Sequence, residues 1–197
     1  MRPENILPRE GEVYLYPSFF NDEESAGFFR ALQETIAWKQ EPIKIMGREI
    51  MQPRLTGWYG EGRVYRYSGI TMAPQPWTEE LLAIKNRIEK EAGQEFTNVL
   101  LNYYRDGNDS MGWHKDNEKE LGVNPVIGSV SFGASRSFHF KNQSDKNLKE
   151  KVLLTNGSFL LMEGSTQHHW YHSIPKAQKI SEGRINLTFR KIIRKIN

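Results

Sequence analysis

The chain contains no cysteine, which excludes disulfide bonds, cysteine-ligated zinc sites and thiol nucleophiles. It also lacks any run of about 18 apolar residues, the length that a membrane helix requires. Its first residues carry charges and prolines where a signal peptide needs an apolar stretch. Strong net charge is missing too, because 27 Lys and Arg oppose 24 Asp and Glu to give +3. We therefore expect a soluble, intracellular (cytoplasmic) protein without membrane association, whose mild basicity permits a polyanionic partner.

The size and composition of the chain predict one folded domain. Its 197 residues include 38% hydrophobic and 12% aromatic side chains, enough to bury a sizeable core. No internal repeat or linker divides it. We expect a single domain over residues 1–197 and a monomer.

Two amphipathic helices are predicted in the first half. Asn21 and Glu24 form a capping-box pair ahead of a helix at 22–37, whose apolar residues recur every four positions. A second helix is predicted at 78–92, with Gly93 at its end. We expect both helices to support a sheet.

From residue 97 onward the sequence changes to short strands separated by turn residues. The predicted strands are 97–104, 126–132, 137–141, 151–155, 158–162, 168–173 and 185–190. Many short strands without intervening helices favour a jelly roll or a barrel-like sandwich. The polar stretch at 141–151 predicts a solvated hairpin loop.

A metal site is the first chemical hypothesis. His114 and Asp116 are two residues apart, so in an extended segment both side chains project from the same face. Two imidazoles and a carboxylate can hold Fe(II) and leave positions open for a co-substrate and dioxygen. The third ligand must come from elsewhere in the fold; His139 is expected to be an ordinary strand residue, and spacing alone does not choose among His168, His169 and His172. The alternative is that these histidines are ordinary strand or loop residues.

The segment GRINLTFRK predicts a strand with one polar face. Strand alternation puts Arg184, Asn186, Thr188 and Arg190 on that face. Arginines are suited to holding the carboxylates of a co-substrate, and Asn102 and Tyr104 can add an amide and a phenol. The alternative is an edge strand with a solvated face.

Four ordered stretches carry a family resemblance: NYYRDGNDSMGWHKDNE, SVSFGASRSFHF, GSFLLMEGSTQHHWYHSIP and RINLTFRK. They resemble the AlkB family of Fe(II)- and 2-oxoglutarate-dependent nucleic-acid dealkylating dioxygenases, most of all its double-strand DNA repair branch. The similarity extends upstream through RYSGITMAPQPW and covers roughly residues 40–192. It implies an α+β fold, a double-stranded β-helix (jelly roll) at 97–192 with two supporting N-terminal helices. It also implies a nucleotide-recognition lid at about 40–75.

The resemblance assigns roles to individual residues. It makes His114, Asp116 and His172 the ligands of Fe(II), with 2-oxoglutarate and O2 as co-substrates. It implies that Arg190 binds the distal carboxylate of 2-oxoglutarate and that Arg184 lies near the carboxylate bound at the metal. The remaining residues of the implied co-substrate pocket are Asn102, Tyr104 and Asn186.

The segment 39–67 predicts the substrate side. Six Lys or Arg and three acids are interleaved there with aromatic residues. Basic groups can neutralise phosphates while aromatics stack on an extruded base, although the aromatics can equally pack onto the sheet. The resemblance implies that the substrate-binding residues include Met46, Arg54, Tyr65, Tyr67, Ser68 and Glu118.

Two positions depart from the family pattern. Met46 and Gly47 stand where duplex-specific relatives carry an aromatic finger, which puts a duplex preference in question. Asn117 replaces an aspartate after the iron motif, and we expect Glu118 to retain part of its charge. The resemblance implies oxidative demethylation of N-alkylated bases in DNA, of the 1-methyladenine and 3-methylcytosine type, as direct-reversal repair. The alternatives are the same chemistry on methylated RNA and a non-catalytic nucleic-acid-binding module.

Overall fold

The computed structural model describes residues 2–45, 48–62, 65–67 and 70–193. The helices are α1 Asp22–Thr35, α2 Glu79–Ala92 and the short α3 Thr166–His169. The strands are β1 Glu12–Tyr16, β2 Pro42–Ile45, β3 Arg48–Met51, β4 Leu55–Gly60, β5 Tyr65–Tyr67, β6 Ile70–Met72, β7 Asn98–Tyr104, β8 Met111–His114, β9 Ile127–Gly133, β10 Arg136–Asn142, β11 Lys149–Leu154, β12 Ser158–Glu163, β13 Trp170–Ile174 and β14 Arg184–Arg190.

Two antiparallel sheets form the body of the fold. The larger has the order β1-β12-β9-β14-β7-β4 and the smaller has the order β11-β10-β13-β8. Their inner faces share one apolar cluster, in which Leu100 and Leu160 of the large sheet pack with Phe138, Phe140 and Trp170 of the small one. Removal of this apolar surface from water holds the two sheets together. The predicted double-stranded β-helix is confirmed.

The two long helices cover the outer face of the large sheet. Leu32 of α1 and Ile84 of α2 are fully buried in a second cluster, together with Val130 and Leu187 of the sheet. This packing explains why both sequences show an apolar stripe with helical spacing. The predicted supporting helices are confirmed.

Local signals in the sequence fix where these helices begin and end. The side chain of Asn21 accepts from the Glu24 N–H and the Glu24 carboxylate accepts from the Asn21 N–H, each at 2.9 Å. The side chain of Thr78 caps α2, and Gly93 ends it in a left-handed conformation at φ 61°. The predicted bounds are therefore met to within two residues.

The structure corrects one predicted strand. The segment 168–173 was expected to be extended from its start, but the helical turn α3 includes His168 and His169, and β13 begins at Trp170. The solvated loop predicted at 141–151 is shorter in the structure, since residues 143–148 form the turn between β10 and β11 and the flanking residues belong to those strands. Among the described residues, no helix is both long and apolar enough to cross a membrane.

Candidate metal and co-substrate site

Three predicted ligands meet between the two sheets. The ligand atoms of His114, Asp116 and His172 all lie within 4.8 Å of one another. His114 ends β8, His172 lies in β13, and the two residues face each other directly in the antiparallel pair. Asp116 follows two residues after His114, so the pairing of two strands assembles ligands that are distant in sequence.

A β-bulge in β8 orients the side chain of His114 toward the pocket. His114 pairs with His172 and Met111 pairs with Ile174, so two residues of β8 oppose one residue of β13. Met111 and His114 therefore both line the pocket, although strict alternation over three positions would put them on opposite faces. Trp113 instead points outward and is 44% exposed.

The carboxylate of the ligand set has a fixed cationic partner. Asp116 is 1% exposed, and its Oδ1 accepts a hydrogen bond from Nη2 of Arg190 at 2.7 Å. Burial alone would raise the pKa of Asp116, but the charge of Arg190 and the neighbouring His172 lower it below its ordinary value. The carboxyl group is therefore ionised and available to a cation.

The two imidazoles are held in the neutral form. Burial, followed by the proximity of His114, lowers the pKa of His172 to about 3. Burial also lowers the pKa of His114, and its Nδ1 lies 2.9 Å from the carbonyl oxygen of Gly112. If Nδ1 donates to that carbonyl, the lone pair of Nε2 is left for a metal. Two neutral imidazoles and one carboxylate at this spacing fit a divalent iron.

The same strand that supplies Arg190 carries a second buried arginine at its other end. Arg184 is 1% exposed and donates from Nη2 to Oγ of Ser131 at 2.9 Å. Its Nε and Nη1 are buried without a hydrogen-bond partner among the described residues. Burial lowers the pKa of Arg184 to about 10. A buried guanidinium with two nitrogens that lack an acceptor fits an anionic ligand that supplies one.

Arg136 adds a second buried positive charge near Arg184. It is 1% exposed and donates to the backbone carbonyls of Asp106, Asp109 and Pro175. Its guanidinium and that of Arg184 lie 5.6 and 5.2 Å from the centroid of the Tyr104 ring. Nη1 and Nη2 of Arg136 are therefore tied to the backbone, while its Nε, like Nε and Nη1 of Arg184, is buried without a hydrogen-bond partner among the described residues.

Polar side chains lie between Arg184 and Arg190 along β14. Asn186 and Thr188 line the pocket on the same face of β14 as both arginines, as alternation predicted. Asn186 donates to Oγ of Ser129 at 2.9 Å, and its Oδ1 accepts from Thr188 at 3.1 Å. Asn102 and Tyr104 of the adjacent strand β7 also line the pocket. Four of the sequence-predicted co-substrate residues thus line one pocket, namely Asn102, Tyr104, Asn186 and Arg190, and Arg184 lies beside the Tyr104 ring.

Arg54, expected to contact substrate, has internal partners instead. It is 4% exposed and donates to Oδ1 of Asn102 at 2.7 Å, to the Ser110 carbonyl at 3.3 Å and to the side chain of Gln52. These contacts tie the start of β4 to the co-substrate wall. A direct contact of Arg54 with substrate stays a prediction.

The other substrate-side residues are only partly described. Met46 and Ser68 lie outside the described residues, and Tyr65 and Tyr67 are described only as members of β5. Glu118 is half-buried immediately before a 3-10 turn at Lys119–Leu121.

The remaining histidines lie apart from the ligand set. His168 is exposed and His169 half-buried in α3, and His139 points to the outer face of β10. None of the three belongs to the group of close ligand atoms found among the described residues.

Sequence reasoning missed Gln167. This side chain is fully buried, and its Oε1 accepts a hydrogen bond from the backbone N–H of Asp116 at 2.8 Å. It lies in α3, directly ahead of the strand that carries His172, and therefore links two ligand-bearing segments. An isolated glutamine gives no periodic or motif signal, so only the fold reveals it.

Comparison with known proteins places this geometry in a family. The family described as the 2OG-Fe(II) oxygenase superfamily matches residues 12–190. The rat protein "Alpha-ketoglutarate-dependent dioxygenase alkB homolog 3" is 43% identical over 189 residues, which cover 91% of this chain and 64% of that protein. The mouse protein "DNA oxidative demethylase ALKBH2" is 35% identical over 198 residues, covering 95% and 83% of the two chains.

A solved structure agrees at the level of the fold. The structure of OsALKBH1 superposes with a TM-score of 0.66 at 17% identity, and the match covers 91% of this chain and 97% of the other. The chain spans 64% of the rat and 66% of the human alkB homolog 3 sequences.

Proposed function

The chain belongs to the 2OG-Fe(II) oxygenase superfamily and to its AlkB family, and from this premise we propose that it oxidatively demethylates N-alkylated nucleic-acid bases. The proposed substrate is DNA carrying lesions of the 1-methyladenine and 3-methylcytosine type, with Fe(II), 2-oxoglutarate and O2. Two names support the reaction class, the rat relative's "dioxygenase" and the mouse relative's "DNA oxidative demethylase".

One observation carries the proposal. Two neutral imidazoles and an ionised carboxylate lie within 4.8 Å of one another at one end of a pocket. Tyr104 lines the same pocket, and beside its ring, 5.2 Å from the centroid, lies the buried guanidinium of Arg184, whose Nε and Nη1 have no hydrogen-bond partner among the described residues. A metal site alone does not require the second feature, but a dicarboxylate that spans from the metal to an arginine does.

The positions of the arginines favour the reverse of the roles expected from the resemblance. Arg190 contacts the metal-ligand carboxylate of Asp116 at 2.7 Å, which supports a role beside the metal. Arg184 lies at the opposite end of β14, which is seven residues long, and its open donors support binding of the distal carboxylate. We therefore assign Arg184 to the distal carboxylate and Arg190 to the metal end.

The protein side chains hold and position the reactants. Bound Fe(II) and 2-oxoglutarate would use O2 to insert one oxygen atom into a C–H bond of the N-methyl group, yielding succinate and CO2. Arg190 orients the Asp116 carboxylate, and the apolar side chains of Leu100, Phe138 and Met162 restrict water in the pocket. The hydroxymethyl product then loses formaldehyde and leaves the unmodified base.

We propose that the segment 40–75 forms the nucleotide-recognition lid of a single domain whose catalytic core is residues 97–192. It contains two antiparallel strand pairs outside the two main sheets, β2–β3 and β5–β6, while β4 between them is the edge strand of the larger sheet. Alkylated nucleic acid as the partner and a monomeric state belong to the same proposal.

Formaldehyde release tests the proposed function. Oligonucleotides carrying 1-methyladenine, 3-methylcytosine or N6-methyladenine are presented as single-stranded DNA, duplex DNA and RNA at one stated salt concentration. We expect release from the first two lesions in DNA, and none from the protein with Asp116→Ala. Greater release from RNA than from DNA would favour the RNA alternative. If the protein takes up neither metal nor 2-oxoglutarate, it is a binding module.

A further inference from the structure

The outward face of the small sheet carries an ordered set of basic and aromatic side chains. Strand pairing aligns Lys149, Lys141 and Tyr171 in one row across β11, β10 and β13. A second row contains Lys151 and His139, and Trp113 projects outward from β8 at the far edge. We call these six residues the outer lysine–aromatic face. Neighbouring strands are about 4.8 Å apart, so the rows are compact.

Cation–π contacts join the members of this face. Nζ of Lys141 lies 4.4 Å from the centroid of the Trp113 ring and 5.4 Å from that of Tyr171. Lys115 adds a third contact, with its Nζ 5.0 Å from the Tyr171 centroid. Trp113 remains 44% exposed, so the ring keeps free surface beside a bound ammonium group. A cation and an aromatic surface are thus held together on one side of the sheet.

The charge on this face has one sign. The outward positions of β10 and β11 include three lysines and no carboxylate, since Glu150 alternates onto the same side as the buried Phe140, with which it pairs. The whole chain carries only +3. The local excess is therefore a property of this face, and it complements a polyanion.

The face adjoins the proposed active site. Trp113 immediately precedes His114, and β8 is an edge strand of the small sheet. The two side chains leave the strand on opposite sides, one toward the pocket and the other toward the outer face. Trp113 is therefore the member of the face that lies on the same edge strand as the metal ligand His114.

We propose that the outer lysine–aromatic face binds the single-stranded nucleic acid that flanks the target nucleotide, with lysines on its phosphates and a base stacked on Trp113. This inference rests on the proposed function. An exposed indole beside an ammonium group suits an unpaired base and its phosphate, the combination that non-specific single-strand binding uses. A duplex offers less to this ring, because its bases are already stacked on one another.

Binding of unmodified single strands tests the face independently of catalysis. A fluorescently labelled oligonucleotide of about 12 nucleotides, within the usual site size of such proteins, is titrated with the full chain at several salt concentrations. The variants are Trp113→Leu and the double variant Lys149→Gln with Lys151→Gln. The matched control is Lys90→Gln with Lys191→Gln, two exposed lysines elsewhere on the surface.

We expect Trp113→Leu to weaken single-strand binding about fivefold or more, the usual size of one base–aromatic stack. The Lys149 and Lys151 variant should lower the slope of log affinity against log salt by about 1.4, which corresponds to two phosphates of a single strand. The control should match the wild-type slope. Unchanged affinity and slope in both face variants, or duplex binding as sensitive to Trp113→Leu as single-strand binding, would overturn the inference.

Turnover separates a failure of this inference from a failure of the proposed function. If both hold, the Lys149 and Lys151 variant demethylates a methylated trinucleotide at the wild-type rate, because β11 is the edge of the small sheet opposite to β8, and both face variants show a raised KM for the long strand. If the long-strand KM is unchanged, the inference fails and the function stands. If no substrate is demethylated but the face variants still lose binding to unmodified strands, the function fails and the face remains a binding surface.

Discussion

The two ends of strand β14 present the same side chain in opposite electrostatic situations. Arg190 is buried against a carboxylate, with Nη2 2.7 Å from Oδ1 of Asp116. Arg184, equally buried, has the neutral Ser131 hydroxyl as a hydrogen-bond acceptor; burial lowers its pKa to about 10, Tyr104 partly opposes that shift, and the nearby Arg136 adds to it. The guanidinium of Arg190 thus has an anionic partner within the protein, whereas that of Arg184 has no carboxylate partner among the described residues.

This difference shows how the pocket is divided between protein and ligand. A buried ion pair contributes little net stability, but removing one partner leaves an uncompensated charge in a low dielectric. At the Arg190 end, that penalty would lower the free energy of unfolding of the protein. Under the proposed function, a carboxylate bound at the Arg184 end would relieve it, and the energy would appear as affinity. Substitutions at the two ends should therefore have different consequences.

The largest effect is expected from Asp116→Ala, which breaks the ion pair at the Arg190 end of β14. It removes a metal ligand and leaves Arg190 buried without its carboxylate. We expect loss of metal uptake and of formaldehyde release, and a fall of about 3–5 kcal/mol in the free energy of unfolding. Urea unfolding of the metal-free protein measures the latter.

The matched control for that substitution is Asp145→Ala. Asp145 pairs with Arg9 at 3.1 Å and both side chains are largely exposed, so its loss should have an effect below about 1 kcal/mol. If the Asp116 variant kept wild-type stability and metal affinity, the ion pair would not organise this end.

The next experiment exchanges each arginine for methionine. Arg190→Met strands the Asp116 carboxylate and should lower the free energy of unfolding by about 3–5 kcal/mol. Arg184→Met replaces a cation that has no carboxylate partner among the described residues, so stability should change by less than about 1 kcal/mol or increase. Its 2-oxoglutarate Kd should nevertheless rise roughly 100-fold, equivalent to about 2.8 kcal/mol.

Calorimetric titration of 2-oxoglutarate with Mn(II) present, paired with urea unfolding, reads both quantities for the two arginine variants. The division between the ends would be refuted if Arg184→Met destabilised the protein as much as Arg190→Met.

A change of pH should alter the protonation of His172 at the metal end but not the charge of Arg184 at the other end. The pKa of His172 is lowered to about 3 by burial, against about 6.5 in an unfolded chain. Below pH 6.5, His172 is therefore protonated in the unfolded chain but not in the folded protein. The free energy of unfolding falls as the pH falls. Between pH 6.5 and 5 the metal-free protein should lose about 2 kcal/mol through this residue. Arg184, with a pKa of about 10, stays charged throughout.

Unfolding midpoints of the chelator-treated protein at several pH values test this slope. His172→Asn should flatten it, while His168→Gln, at an exposed position in α3, should leave it in place. An unchanged slope in the His172 variant would mean that other groups set the acid sensitivity.

The sequence predicted those parts of the site that follow from regular geometry. Strand alternation placed Arg184, Asn186, Thr188 and Arg190 on one face, and the structure has them there. The capping signals likewise located both helices. Such features repeat with the period of the backbone, so a single chain displays them.

The remaining features depend on which strands become neighbours. The bulge in β8 and the register that sets His114 opposite His172 belong to the pairing of two strands. The order of the arginines along the pocket follows from the position of Asp116, which alternation cannot provide. Gln167 was missed for the same reason, because its partner is a backbone N–H 51 residues away.

The smallest expected effect, that of Gln167→Met, tests how far the metal end depends on such a contact. Methionine keeps the volume but leaves the Asp116 N–H buried without the acceptor now 2.8 Å away. Loss of a partner that orients a metal ligand typically weakens metal binding about 10- to 100-fold, and we expect the lower value. A Co(II) absorbance titration measures it, with Gln143→Met, whose side chain accepts from Lys115, as the control. At saturating metal the 2-oxoglutarate Kd should stay at the wild-type value, because the side-chain hydrogen bonds of Gln167 go to Asp116 and Met162 at the metal end. A rise in that Kd would show that the Arg190 and Arg184 ends are energetically coupled.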